Sequence, residues 1–381
     1  MSILLTLILI VAFIVAGLVF FTANTARKVE ARVPPCGQFV GIDRQRLHYI
    51  DTGGAGPAVV LIHGLGGTLW HYTYALVDKL SGEFRVIAVD RPGSGYSTRP
   101  DDVSARLGVQ ADTLAKFMRA LGLKQPLLVG HSLGGALSLA IALDHPDCAG
   151  AVALIAPLTQ GQEDVPKPFQ GLVINSPVMR KIIAWTLAIP MSIRNAPKLL
   201  KIVFGPDAAP ADFPTRGGGV LGLRPNSFYN TSSDAVAVME DVPGMMNRYS
   251  GLTIPLGMLF AKGDLILDYR MHGEAMKQQC PALDLVLLDG HGHMLPLTAP
   301  DATADLIRHV AARQLEPRAT IGEHKEAPQS LRARADEVIE SRDCSLRCMS
   351  PLSANRRRLT SVAPASWGSA DPLEQSARNA G

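Results

Sequence analysis

The chain has 381 residues, of which 47% are hydrophobic and 19% are charged, which is ample for a large domain with a single core. Its formal net charge of +3 is close to balance and excludes the strongly basic surface expected of a nucleic-acid-binding protein. The five cysteines are odd in number and scattered, so they predict no disulfide framework. Cys344 and Cys348 lack the nearby histidine pair of a zinc site, and we expect neither a metal nor a cofactor.

The first predicted element is a membrane anchor over residues 1–23. Residues 3–21 are apolar except for Thr6 and carry no charge, and about 20 such residues span the roughly 30 Å of a bilayer core. A cleaved signal peptide would have a basic start and a small-residue cleavage site, and neither is present. We therefore favour an uncleaved anchor over a signal peptide.

A linker is predicted over residues 24–37, because Pro34 and Pro35 end any helical continuation. Three basic side chains follow the apolar run, namely Arg27, Lys28 and Arg32. The positive-inside rule then favours the cytoplasmic side for the rest of the chain.

The first part of the main domain is predicted over residues 38–157. It opens with an alternating hairpin at a sheet edge over residues 38–51. Continuous apolar runs then predict buried strands, separated by helical patterns. The strands are expected at 58–62, 85–89, 127–129 and 150–156, and the helices at 68–80, at 103–121 and from 135 onwards.

The pattern changes between residues 158 and 252, where apolar residues recur at helical spacing and Pro and Gly break the run. We interpret this segment as an inserted helical lid, some of whose apolar side chains make the substrate pocket apolar. The second part of the domain, 253–314, returns to strands at 255–261 and 283–288 and helices at 269–279 and 300–311. The polar, Arg-rich residues 315–381, which include Arg356, Arg357 and Arg358, predict a disordered, solvated tail.

Alternating strands and helices predict an α/β fold with a mostly parallel sheet that has helices on both faces. Chemistry in such sheets lies beyond the carboxyl ends of the strands. The chain carries G-x-S-x-G at Gly130–Gly134, between a predicted strand and a predicted helix. In this motif we expect Ser132 to lie in a strained turn that exposes its hydroxyl. A side chain in place of Gly130 or Gly134 would clash there. The alternative is an ordinary turn with a capping serine.

A serine hydroxyl becomes a nucleophile when a histidine takes its proton and a carboxylate orients that histidine. Asp264 directly follows an apolar strand, whereas Asp268 suits a helix cap and Asp241 lies in the lid; Asp289 is a further candidate. His291 and His293 both follow the last strand, and either can reach back to the serine.

An acyl-transfer site also needs two donors for the developing oxyanion. The expected donors are the backbone amides of Leu133, directly after the serine, and of Leu65, in a glycine-rich loop. We expect the ring of His63 to shape that loop through a hydrogen bond and not to act in catalysis.

Five motifs in this order resemble the α/β-hydrolase superfamily: HGLGG at 63–67, DRPGSGYS at 90–97, GHSLGG at 130–135, GD at 263–264 and GHGHMLPLTAP at 290–300. The likeness runs from about residue 38 to 312 and is closest to bacterial esterase or lipase members. It implies Ser132 as nucleophile, Asp264 as acid and His293, in preference to His291, as base. Dehalogenases and epoxide hydrolases of this fold have Asp in the place of Ser132, so the resemblance argues against both.

The sequence therefore predicts a membrane-anchored serine hydrolase whose partner is a small apolar ester or lipid-like substrate. The same residues also suit perhydrolysis, acyl transfer, lactone or amide opening, and C–C bond hydrolysis. A non-catalytic, membrane-tethered binding protein is the third interpretation. The sequence does not specify an oligomeric state.

Overall fold

A computed structural model describes residues 3–162 and 166–315 of the chain. The predicted tail beyond Leu315, with Cys344, Cys348 and the three consecutive arginines, lies outside the described residues.

Eight strands form one sheet in the order β1-β2-β4-β3-β5-β6-β7-β8. The strands from β3 onwards pair in parallel, and β2 pairs antiparallel with both β1 and β4. The strands are β1 (Gln38–Ile42), β2 (Gln45–Asp51), β3 (Ala58–Ile62), β4 (Arg85–Val89), β5 (Leu127–His131), β6 (Ala151–Ile155), β7 (Leu256–Ala261) and β8 (Asp284–Leu288).

Helices connect and cover these strands. They are α1 (Ile3–Arg32), α2 (Trp70–Thr73), α3 (Leu76–Leu80), α4 (Leu107–Ala120), α5 (Leu133–Asp144), α6 (Pro177–Trp185), α7 (Ala188–Phe204), α8 (Pro225–Met246), α9 (Ala275–Gln279), α10 (Leu295–Thr298) and α11 (Pro300–Leu315). Short 3-10 helices lie at Pro146–Cys148, Lys167–Leu172, Gly219–Leu223 and Tyr249–Gly251, and a π-helical turn lies at Arg270–Glu274.

The core lies on both faces of the sheet. Every residue of β5 and β6 is buried, which is why these runs are continuously apolar and do not alternate. Helix α5 packs against α4, and α11 packs against α3 and the strands β6 and β7. The predicted α/β class, with its edge hairpin and its mostly parallel sheet, is confirmed.

Several predicted helices differ from the observed ones. The helix expected over 269–279 is a π-helical turn followed by α9, and the one expected over 300–311 continues to Leu315. The helix expected over 68–80 is two short helices, α2 and α3, because Ala75 between them leaves the helical backbone region with φ −151°. The helix expected from residue 103 begins at Leu107, since Val103 closes a turn through its amide hydrogen bond to the Pro100 carbonyl.

The N-terminal helix extends beyond the predicted anchor. α1 ends at Arg32, so most of the segment expected as a linker is helical. Its apolar residues 3–17 are exposed, whereas Thr22, Thr25 and Val29 are buried. These side chains share one face of the helix, which packs against α6, α8 and the turn Gly219–Leu223. The exposed part of α1 therefore projects from the domain as the only helix of the described residues that is long and apolar enough to cross a membrane.

The described part of the segment 158–252, between β6 and β7, contains helices and turns and no strand. It is a helical insertion in the sheet domain, as the sequence indicates. Its long helix α8 contacts both α4 and α5, and its residues Asn230 and Thr231 lie against Gly93 and Gly66 in the loops after β4 and β3. Its role as a lid stays a prediction.

Candidate active site

Ser132 occupies the sharp turn between β5 and α5. Its backbone has φ 55° and ψ −122°, a conformation that costs a residue with a side chain about 1–3 kcal/mol. The turn is held from both sides, since the Ser132 amide donates to the Ile155 carbonyl at 3.0 Å and the Leu158 amide donates to the Ser132 carbonyl at 3.1 Å. The side chain of Ser132 stays partly exposed while its neighbours are buried. This is the strained, hydroxyl-exposing turn that the sequence predicts.

The two motif glycines are required by close packing. A Cβ atom on Gly134 would stand 2.0 Å from the Ile62 carbonyl oxygen. One on Gly130 would stand 2.3 Å from the Gly134 carbonyl oxygen and 2.5 Å from Ser138 Oγ. Neither contact is relieved by moving a flexible side chain alone, because each involves backbone atoms. Ser132 precedes α5 but makes no capping hydrogen bond to it through its side chain, which disfavours the alternative of a turn with a capping serine.

His293 and Asp264 meet beyond the ends of β8 and β7. The Nδ1 atom of His293 lies 2.7 Å from Asp264 Oδ2, and both side chains are almost completely buried. The other carboxylate oxygen, Oδ1, accepts hydrogen bonds from the amides of Ile266 at 2.7 Å and Leu267 at 3.0 Å. These bonds fix the carboxylate, which in turn fixes the ring of His293 with Nε2 free to face another group.

His131 joins the histidine loop to the nucleophile turn. Its Nε2 lies 2.9 Å from the His293 carbonyl oxygen, and the two rings are 4.9 Å apart between centroids. Burial lowers the pKa of His131 well below its ordinary value, and the neighbouring His293 lowers it further. A neutral His131 with its proton on Nε2 donates that hydrogen bond. Within the described residues no hydrogen bond joins Ser132 Oγ to the His293 ring, and such contacts are often long before substrate binds.

The competing residues have other partners. Asp268 caps a helical turn through the Arg270 amide at 2.7 Å. Asp241 binds Arg106 and the Leu107 amide, and Asp289 pairs with Lys262 on the surface. His291 contacts Asp207 at 3.1 Å and not a residue of the nucleophile turn.

The two expected oxyanion donors belong to backbone segments next to Ser132. Leu133 is the first residue of α5, and Leu65 follows Gly64 in the loop after β3. Neither amide donates to another group in the described part of the chain. A Cβ atom on Gly64 would stand 2.9 Å from Ser132 Cβ, so this loop passes directly beside the serine. Their assignment as oxyanion donors stays a prediction.

A buried arginine that sequence reasoning did not single out organises the Leu65 loop. Arg91 donates through Nε to the His63 carbonyl at 3.0 Å and through Nη2 to the Gly64 carbonyl at 3.2 Å. The Arg91 amide donates to His63 Nε2 at 3.0 Å, and His63 Nδ1 faces the Gly64 carbonyl at 2.9 Å. Burial and the nearby Arg91 charge lower the pKa of His63, so its ring is neutral and shapes the loop, as expected.

The charge of Arg91 is balanced from the inserted helix α8. Asp234 on α8 binds Arg91 at 2.9 Å and Arg99 at 2.7 Å, and all three side chains are fully buried. Gln110 of α4 completes the cluster, with its Oε1 2.9 Å from Arg91 Nη1. In the sequence, only the place of Arg91 inside the motif DRPGSGYS marks it as a residue of interest. Its bond to Asp234 is not predictable from the sequence, because Asp234 lies 143 residues away.

The end of α7 rests on the histidine loop. Asp207 accepts hydrogen bonds from the Gly292 amide at 2.9 Å and from His291 at 3.1 Å. Burial raises the pKa of Asp207, but these hydrogen bonds outweigh it and hold the pKa below its ordinary value. Phe204 packs in a small apolar cluster with Phe213, Met294 and Leu297. The helical insertion therefore contacts the histidine loop directly and is linked to the Leu65 loop through the bond between Asp234 and Arg91.

Two surface clefts lie near these loops without reaching the serine. One, of about 460 Å³, lies between the end of α1 and Trp70. The other, of about 270 Å³, is lined by residues of the segment 262–270. Neither is lined by Ser132 or His293, so the apolar pocket expected under the insertion stays a prediction. Among residues 3–162 and 166–315, no group of three or more His, Cys, Asp or Glu side chains is arranged to hold a metal ion.

The chain was compared with known proteins. A family model described as the alpha/beta hydrolase fold matches residues 57–188. A 2-hydroxy-6-oxononadienedioate/2-hydroxy-6-oxononatrienedioate hydrolase of Burkholderia vietnamiensis is 29% identical over 255 residues, which cover 65% of this chain and 84% of that protein.

The acetyltransferase component of the acetoin cleaving system of Cupriavidus necator is 36% identical over 124 residues. This match covers 32% of the chain and spans only about a third of that protein's length, 33%. Among solved structures, a membrane phospholipase A described as a bacterial virulence factor aligns with a TM-score of 0.60 and 23% identity, covering 82% of this chain and 99% of that one. At that identity the likeness concerns the fold alone.

Proposed function

Because this chain is a member of the α/β-hydrolase superfamily, we propose that it is a membrane-anchored serine hydrolase that cleaves an apolar carboxylic ester through an acyl-enzyme. The observation that supports this proposal best is the hydrogen-bond contact between His293 and Asp264 beyond the ends of β8 and β7. Ser132 stands in the strained turn after β5, and the loop after β8 brings His293 onto Asp264 of the loop after β7. The link from His131 to the His293 backbone supports the closeness of the base to the serine.

The proposed reaction uses these residues in sequence. His293 takes the proton of Ser132, whose oxygen attacks the ester carbonyl, and Asp264 stabilises the imidazolium that forms. The amides of Leu65 and Leu133 bind the oxyanion. His293 then gives its proton to the departing alcohol, and water, activated by the same ring, releases the acid and restores the serine.

The membrane part of the proposal is supported by α1. Its apolar residues are exposed in the described structure, and it is long enough to span a bilayer. The basic residues after the apolar run favour the cytoplasmic side for the domain.

Turnover of p-nitrophenyl esters of rising acyl length by the full chain in detergent tests this function. We expect Ser132→Ala to lose essentially all turnover. Ser138→Ala is the matched control, since that hydroxyl lies further along α5 and donates to the Gly134 carbonyl at 2.8 Å; it should keep most of the activity. Absence of turnover by the wild-type chain on every ester would contradict ester hydrolysis.

A second candidate is C–C bond hydrolysis, which the Burkholderia vietnamiensis relative favours because its name specifies hydrolysis of a 2-hydroxy-6-oxo-dienedioate. The same serine and histidine would act on a ketone carbon. Turnover of that dioate with none on the esters would establish this alternative in place of the first.

A further inference from the structure

Six of the eight exposed large apolar side chains in the described part of the inserted segment lie on α6 or around the start of α7 and form an exposed apolar surface there. They are Val178, Met179, Ile182, Trp185, Leu187 and Met191, whereas Val173 precedes α6 and Leu199 lies further along α7. We call this surface the outer face of α6 and α7. A cluster of large apolar side chains that faces water in a domain of this size marks a surface with a partner.

Helix α6 buries Arg180 and Ala184 and leaves most of its large apolar side chains exposed. Val178, Ile182 and Trp185 recur at helical spacing and point outward. The inward side carries Arg180, whose guanidinium donates to Ser232 Oγ at 3.0 Å, to Ser233 Oγ at 2.8 Å and to the Ile174 carbonyl at 2.6 Å. These buried bonds hold the helix in this orientation, so the outward apolar side is a fixed feature of the fold.

The segment that carries the outer face has basic side chains only, although Lys181 of α6 pairs with the exposed Asp101 from outside the segment. Between residues 166 and 206 the sequence contains no Asp or Glu, and its basic residues are Lys167, Arg180, Lys181, Arg194, Lys198 and Lys201. Arg194, Lys198 and Lys201 on α7 are exposed. A helix pair with an apolar side, a tryptophan and basic flanks has the composition of a segment that lies in the interface of an anionic bilayer.

The position of the outer face agrees with that partner. Thr22, the first residue after the apolar run of α1, is fully buried against the domain, and α1 packs directly against α6. If α1 spans a bilayer, the elements that contact it at this point lie at the membrane surface. The other end of α7 rests on the loop that carries His293, through Asp207 and Gly292.

We propose that the outer face of α6 and α7 inserts into the interface of an anionic lipid bilayer, as a second membrane contact beside α1. This inference rests on the anchoring part of the proposed function. It specifies the substrate further, as an ester that resides in the bilayer and reaches the site along the inserted helices.

Trp185 provides a direct probe, because the chain has three tryptophans, Trp70, Trp185 and Trp367, and none of them lies in α1. The full chain is reconstituted into vesicles of phosphatidylcholine and phosphatidylglycerol whose acyl chains carry bromine, a short-range quencher of tryptophan emission. We expect a loss of emission from the wild-type chain that is absent from Trp185→Phe. The loss should be smaller in phosphatidylcholine alone.

Two surface variants serve as test and control. The double variant Val178→Ser with Ile182→Ser should reduce the quenching of Trp185, whereas Met271→Ser, which changes an exposed methionine outside the inserted segment, should not. Equal quenching of the wild type and Trp185→Phe would overturn the proposal. Equal quenching in the two lipid mixtures would overturn the anionic character of the surface.

Two further outcomes separate this inference from the proposed function. Emission of Trp185 that is protected from quenching by acrylamide, and is also not quenched by bromolipid, would indicate that a second copy of the chain covers this face. That result would overturn the bilayer assignment. Ser132→Ala should keep the full quenching, so a chain that docks without hydrolysing esters contradicts only the catalytic proposal. A chain that does not float with vesicles at all contradicts the anchor.

Discussion

Two carboxylates that follow β7 differ in their bonding: Asp264 is proposed to be catalytic, whereas Asp268 caps a turn. Asp264 is buried and bonds both His293 and two backbone amides, whereas the Asp268 carboxylate bonds the amide of Arg270 at an exposed turn. Sequence alone ranked Asp264 first because it directly follows β7. The hydrogen bond to His293 supports that ranking by an independent observation.

Asp264→Asn should lower kcat by about 10⁴-fold with little change in KM, because an amide no longer holds the His293 ring in the tautomer that accepts the serine proton. Steady-state kinetics on the best p-nitrophenyl ester measure this effect. Asp268→Asn is the matched control and should stay within a few-fold of the wild type. Equal losses in the two variants would mean that the loop, and not the Asp264 carboxylate, matters.

At the scale of elements, the link between α8 and the loop after β3 is the contact that sequence patterns did not predict. Local rules located Ser132, because a glycine-flanked serine between a strand and a helix is encoded within five residues. The bond between Arg91 and Asp234 joins residues 143 positions apart. The spacing of apolar residues along the chain does not indicate which distant residues will be in contact.

Asp234→Ala should cost about 3–5 kcal/mol of unfolding free energy, because it leaves the fully buried Arg91 and Arg99 without their counter-charge. Chemical denaturation of the full chain in detergent measures it. The control Asp301→Ala removes the carboxylate of an exposed pair with Lys79 and should cost less than about 1 kcal/mol. Similar small losses in both variants would show that α8 does not depend on this cluster.

At the scale of the whole molecule, several histidines are buried, and within the described residues none of them belongs to a group that could hold a metal ion. Burial lowers the pKa of His71 and of His272 to about 4, and it lowers those of His63 and His131 well below the ordinary value. The unfolded chain binds protons at these rings near their ordinary pKa of 6.5, whereas the folded chain binds them only at lower pH. The unfolded state therefore holds more protons between about pH 6.5 and 4.

The free energy of unfolding should consequently fall as the pH is lowered from about 7 towards 4, with a slope approaching about 1.4 kcal/mol per pH unit for each such histidine. Denaturation at a series of pH values measures the slope. His272→Asn should reduce it by up to one histidine's share, since it removes one group that must charge on unfolding. A slope of zero, or of opposite sign, across this window would contradict the burial of neutral histidines.

The apolar runs of the sequence predicted the sheet domain. They also predicted where the candidate site residues lie, because the carboxyl ends of parallel strands share one edge of the sheet. The sequence did not predict that α1 would continue to Arg32 and pack on the inserted helices. The apolar run ends at Phe21, and the following polar residues resemble a linker until Thr22, Thr25 and Val29 are seen on one buried face.

The most direct test of the central claim is covalent labelling by a fluorophosphonate, followed by mass spectrometry of the intact chain and its peptides. We expect one adduct, on Ser132, with no labelling of Ser132→Ala and slow labelling of His293→Gln. An adduct on another residue, or equal labelling of Ser132→Ala, would contradict that claim.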